Sequence, residues 1–189
     1  MCSILLSFLL LSVVLATALP TLDTEKDLKK TGFGLRQSHH GLTLLKWYVK
    51  ECLGKNEKSL CNPVAGEYGF HRYENREDLL PRLNGKKKNA YYTLGNLRSP
   101  HADELPCYVT KDYNCTQPQS NQDRVLVEYT QVNKMISDIF ISEHYNKKKT
   151  YRIGRNLLAF LKKLVCENLI QEDLTDMVPA PRPKQWSAK

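Results

Sequence analysis

The sequence predicts an α+β fold: a two-layer domain with an N-terminal helix, an antiparallel β-meander and a C-terminal helix. Three observations carry this. Apolar residues recur at three- and four-residue steps near the start of the chain, and again over 157–169. The region between shows short runs of period-two alternation separated by polar, turn-rich segments. No long helical pattern interrupts those runs, which favours antiparallel neighbours. A helix with one apolar face must cover a sheet with one apolar face, hence two layers. A purely helical bundle does not fit, because the middle of the chain lacks helical periodicity.

Taken in order, residues 2–18 carry no charge and hold an apolar run (Leu5 to Leu15) too short for a comfortable span. The run ends in Ala16-Thr17-Ala18 with Pro20 just beyond. This is a signal-peptide pattern over 1–18, although its start lacks Lys or Arg. Residues 19–36 are charged and turn-rich (Lys26, Asp27, Lys29, Lys30, Gly32, Gly34) and read as a flexible N-terminal arm. The folded domain is expected over 37–173. Its first helix starts near Ser38, a capping residue type, runs through Leu42, Leu45, Tyr48/Val49 and Cys52/Leu53, and finds a suitable terminator in Gly54.

An aromatic segment, Tyr68 to Tyr73, opens the strand region, and Glu77–Leu80 reads as one helical turn stopped by Pro81. Strands are expected at Ala90–Leu94, Cys107–Thr110, Val125–Tyr129, Ile139–Ile141 and Tyr151–Ile153. In the third of these, Val125, Val127 and Tyr129 share one face and Arg124 and Glu128 the other. The second helix carries Leu157, Leu158, Leu161, Leu164, Val165 and Leu169 on one stripe, with Lys162 and Lys163 outward. Residues 174–189 are Pro-rich and read as a disordered tail.

Loss of the signal segment removes one of six cysteines and leaves Cys52, Cys61, Cys107, Cys115 and Cys166. In a secreted chain these are bridge formers, and their spacing suits no zinc site. Two local pairs, Cys52–Cys61 and Cys107–Cys115, are natural; Cys166 to Cys52 is the alternative that joins the two helices. With the local pairs, Cys166 is left as a thiol, buried on its helix stripe or bridged to a partner. Asn114-Cys115-Thr116 is an N-glycosylation sequon at Asn114.

The chain holds 28 basic and 20 acidic residues, a formal net charge of +8. That excess favours anionic partners. Two segments concentrate it, each a turn residue, three lysines and an aromatic strand: Lys86, Lys87 and Lys88 after Asn84-Gly85, and Lys147, Lys148 and Lys149 after Asn146, with Arg152 following. They are candidates for binding a sulfated glycan such as heparin, or an acidic protein or receptor. The bland alternative is a pair of solvated turns whose lysines protect strand edges.

Among the histidines, His39 and His40 point about 100° apart on a helix and do not suit one metal. His71 with Glu74 places an imidazole near a carboxylate, as does His101 with Asp103 and Glu104, and His144 is a further acid–base candidate. Phosphate loops, nucleophile elbows and calcium loops are absent. So are the lysine-bearing signature of small secreted ribonucleases and the Gln-x-Val-x-Gly strand of cystatins. The expected function is therefore a secreted, extracellular, non-enzymatic binding protein of signalling or host-defence type. No cofactor, metal or transmembrane span is expected, nor is nucleic acid as a partner. The alternative is a small secreted hydrolase acting on an anionic polymer.

Overall fold

The computed structural model describes residues 18–31, 40–83, 89–95 and 123–166. It is an α+β arrangement built on a mixed six-stranded sheet. In chain order the elements are β1 (Thr21–Leu22), α1 (Glu25–Lys30), α2 (His40–Glu51), β2 (His71–Tyr73), β3 (Asn89–Leu94), β4 (Asp123–Thr130), β5 (Met135–Glu143), β6 (Thr150–Ile153) and α3 (Arg155–Cys166). Strands β2 to β6 form antiparallel neighbours in sequence order, and β1 adds to β6 in parallel.

The period-two alternation of β4 sends Val125, Val127 and Tyr129 into the larger apolar core, together with Ala90, Tyr92 and Leu94 of β3. The same core takes Leu44, Leu45, Tyr48 and Val49 of α2, Cys52 just after it, and Leu157, Leu158 and Leu161 of α3. In β5 the alternation breaks: Glu128 pairs with Asp138 but Tyr129 pairs with Ile136, leaving Ser137 as a bulge. The extra residue flips the phase, so Ile136 joins Ile139 and Ile141 in one core.

The opposite face of the sheet is not the plain polar surface that Arg124 and Glu128 suggest. Leu126, Tyr91 and Phe140 are buried there in a second cluster under Leu79 and Leu80. The segment that supplies this cover is not the helical turn expected at Glu77–Leu80. Asn75 shapes it instead, its Oδ1 accepting from the Leu80 amide and its Nδ2 donating to the Leu80 carbonyl, both at 2.8 Å. A side-chain clamp of this kind offers the backbone an alternative to helix.

Residues 19–31 are not a loose arm. Leu22 and Leu28 are buried in the main core, and Thr21 and Leu22 pair with Arg152 and Ile153. Thr24 and Asp27 form a reciprocal capping box that starts α1. Asp23 then performs a capping role for a helix far away in sequence. Gly154, which precedes α3, has no side chain to offer; Asp23 accepts from the Asn156 amide at 3.2 Å and from Asn156 Nδ2 at 2.6 Å. A carboxylate at that end satisfies an orphan N–H and complements the helix dipole.

Cys52 and Cys61 are bonded, so the local pairing holds here and the Cys52–Cys166 alternative does not. Gly54 does not terminate α2 in a left-handed turn; the helix ends at Glu51, and Gly54 has φ −78°. Its small size matters for another reason, since a Cβ there would lie 3.0 Å from Leu60 Cδ2. Ser38, Cys107–Thr110, the Cys107–Cys115 pair, residues 1–17 of the signal segment and the Pro-rich tail lie outside the described residues.

Candidate functional site

The turn between β5 and β6 displays the second lysine run. Its backbone is held by a dense local network. The Asn146 amide donates to the Glu143 carbonyl and the Lys149 amide to the Asn146 carbonyl, each at 2.9 Å. Asn146 Oδ1 accepts from the Lys148 amide at 3.0 Å, and the Asn146 carbonyl also takes the Thr150 hydroxyl at 2.7 Å. Lys147–Lys149 is consequently a single 3-10 turn with an asparagine cap.

The four cations of this run do not share one environment. Lys149 Nζ pairs with Glu143 at 2.7 Å, and Arg152 Nε donates to Asp138 at the same distance. Both carboxylates come from β5, the neighbouring strand. Lys147 and Lys148 are exposed and make no ion pair among the described residues. The compact run of four is thus two outward lysines beside two ion-paired cations.

The strand residues that follow the two lysine runs in sequence, Asn89 and Thr150, stand at opposite ends of the sheet. Asn89, the first described residue after Lys86–Lys88, pairs with Thr130 beside the β4–β5 hairpin. Thr150, directly after Lys149, pairs with Ser142 at the far end of β5. At roughly 3.3 Å per residue Asn89 and Thr150 are separated by on the order of 20 Å along β5. Lys86, Lys87 and Lys88 themselves lie outside the described residues.

Sequence reasoning missed a polar cluster at the Lys147 end of the second sheet face. The Tyr73 and Tyr145 rings stack with centroids 5.1 Å apart and planes 6° from parallel. The Arg124 guanidinium lies 5.9 Å from the Tyr145 centroid, and its Nη1 donates to the Asp123 carbonyl at 2.8 Å. Thr93 and Tyr145 hydroxyls meet at 3.3 Å. Tyr145 and the preceding His144 both adopt left-handed backbone, with φ of 58° and 48°. Neither is glycine, so the conformation is costly and must be held by the surroundings; Tyr145 is anchored there by its ring stacked on Tyr73.

His71 opens β2 opposite Thr93 on this face, and its buried Nδ1 has no hydrogen-bond partner among the described residues. Burial holds the imidazole below its ordinary value; the Gly69 carbonyl opposes this, and the nearby Arg124 charge adds to it. With a depressed pKa in the fold, His71 contributes stability that is complete above its unfolded value. That contribution is lost as pH falls through the folded value. The stability of the native chain is therefore expected to drop between about pH 7.5 and pH 5, and His71→Gln to remove part of that drop. Urea midpoints of both proteins at the two pH values check this; parallel curves would refute it.

The hydrolase candidates are not brought together. Glu74 accepts from Arg76 Nε at 2.6 Å, and the charged group acting on His71 is Arg124 rather than a carboxylate. A cleft of about 500 Å³ opens near Tyr73 and Tyr91, lined also by Arg72, Glu74, Asp78 and Arg82; His71 is not part of its wall. His144 is exposed on its turn. Among the described residues no group of three His, Cys, Asp or Glu side chains is arranged to hold a metal ion, and no helix is long and apolar enough to cross a membrane. His39, His101, Asp103, Glu104, Asn114, Cys107 and Cys115 lie outside the described residues, as does the side chain of Cys166. Compared with protein-family models, curated proteins and solved structures, the chain matches none, so the reading of its function rests on the geometry above.

Proposed function

We propose that the chain is a secreted, two-layer, non-enzymatic binding protein of signalling or host-defence type, which engages a sulfated glycan or an acidic partner through Lys147 and Lys148. The observation that carries this reading is the construction of their turn. Main-chain and Asn146 hydrogen bonds fix the backbone, while both lysines are exposed and have no carboxylate partner among the described residues. Preorganised cations lose less freedom on meeting a polyanion than cations on a loose loop. The net charge of +8 provides long-range attraction. The Cys52–Cys61 bond is compatible with an oxidising compartment. A signal peptide over 1–18 and a glycan on Asn114 belong to the same proposal.

Retention on heparin, compared with a plain sulfonate exchanger, tests it. The native chain is expected to need more salt on heparin, and Lys147→Ala with Lys148→Ala to abolish the excess. Lys149→Ala and Arg152→Ala should each change it much less, because each removes a cation already offset by Glu143 or Asp138. Equal elution from both columns, or equal effects of all four positions, would reduce the lysines to bulk charge.

A further inference from the structure

A second charged surface lies at the other end of the sheet, and sequence spacing gives no hint of it. The Cys52–Cys61 disulfide closes a loop stitched internally by the Gly54 amide to the Lys58 carbonyl and the Leu60 amide to the Cys52 carbonyl, both 2.8 Å. This loop docks against the β4–β5 hairpin. The Ser59 amide donates to the Lys134 carbonyl at 2.7 Å, and Lys58 faces Met135 in an isolated bridge. Ser59 is buried, so its neighbours Lys58 and Leu60 are turned outward.

The result is one tip, tied by a disulfide and a hairpin contact, that carries Lys55, Lys58 and Lys134 together with Leu60 and Val132. All three lysines are exposed and make no ion pair among the described residues. Leu60 and Val132 are each 65% exposed, the highest values among the large apolar residues described. Glu57 is the one acidic residue on the loop between the two cysteines, so the tip keeps a positive balance.

We propose that this tip docks peripherally on an anionic lipid surface, Leu60 and Val132 entering the headgroup boundary while Lys55, Lys58 and Lys134 meet the headgroup charges. Charge complementarity and the two aliphatic side chains together select this partner. A hydrated sulfated polymer offers nothing to desolvate leucine and valine, whereas the headgroup–acyl boundary takes apolar side chains flanked by lysine. The disulfide and the hairpin contact hold the loop in place. The proposal is independent of the Lys147–Lys148 reading, which concerns the opposite end of the sheet.

The test is sedimentation of the full secreted chain with phosphatidylserine–phosphatidylcholine vesicles, against pure phosphatidylcholine. Binding is expected to the anionic vesicles only, and to weaken with salt. Lys55→Gln, Lys58→Gln and Lys134→Gln together should lower the partition coefficient by on the order of 100-fold, about fivefold per lysine. Leu60→Ser with Val132→Ser should lower it about tenfold, and Lys147→Ala with Lys148→Ala should leave it close to native. All these positions are exposed, and unchanged circular dichroism melts confirm that each variant folds. Absence of binding to anionic vesicles overturns the proposal. So does binding that ignores the Leu60 and Val132 replacements, which would assign the lysines to a hydrated anion. Equal loss in the Lys147/Lys148 variant would assign the attraction to net charge and overturn it as well.

Discussion

Gly95→Ala is expected to destabilise the fold by more than about 3 kcal/mol, lowering the Tm by roughly 6–12 °C in a domain of this size. Two separate costs act at this position. Gly95 has φ +109°, a backbone region that side chains rarely adopt. A Cβ added there would also stand 2.8 Å from Leu44 Cδ2 and 2.9 Å from the Asp123 carbonyl oxygen. Neither neighbour can yield cheaply. Leu44 is fully buried in α2, and Asp123 begins β4, where it pairs with Glu143. Trimming the first obstacle with Leu44→Ala should therefore fail to rescue the variant, because the carbonyl contact and the strained φ remain. Urea titrations with matched slopes measure the difference; a loss below about 1 kcal/mol would mean that the end of β3 is more pliable than its packing indicates.

The parts of this fold that the sequence announces are those set by local periodicity. Val125, Val127 and Tyr129 reveal their common face because a strand alternates, and the α3 stripe is visible because a helix repeats every 3.6 residues. What stays hidden is set by partners far apart in the chain. A two-residue strand such as Thr21–Leu22 has no periodicity to read, and its partners Arg152 and Ile153 stand near the other end of the domain. The bulge at Ser137 is invisible for the same reason, since it exists only relative to β4. The lysine run shows how this limits functional reading. Lys147 to Lys149 and Arg152 look equivalent in sequence, yet Glu143 and Asp138 from the adjacent strand take up two of the four. Conversely, Lys55, Lys58 and Lys134 look scattered and are gathered by one disulfide and one hairpin contact.

That gathering makes the disulfide a link between stability and the proposed lipid-docking surface. Cys52→Ala with Cys61→Ala is expected to cost about 3–4 kcal/mol. Reopening a loop whose ends are 9 residues apart accounts for about 2.5–3 kcal/mol on the chain-entropy model. The remainder is lost packing, because both sulfurs lie in the main core. Alanine is the appropriate replacement, since serine would bury hydroxyls in an apolar setting. The two proposed surfaces should then separate. With the loop released, Lys55, Lys58 and Leu60 lose the frame that holds them beside Lys134 and Val132, so affinity for anionic vesicles should fall well below native at temperatures where the variant is still folded. Heparin excess retention should persist, because the hydrogen bonds that fix Asn146 to Thr150 lie at the other end of β5 and do not involve the disulfide. Loss of both activities in a folded variant would instead mean that the ends of the sheet act as one surface. Loss of neither would show that the hairpin contact alone, through Ser59 and Lys134, is enough to keep the tip in place.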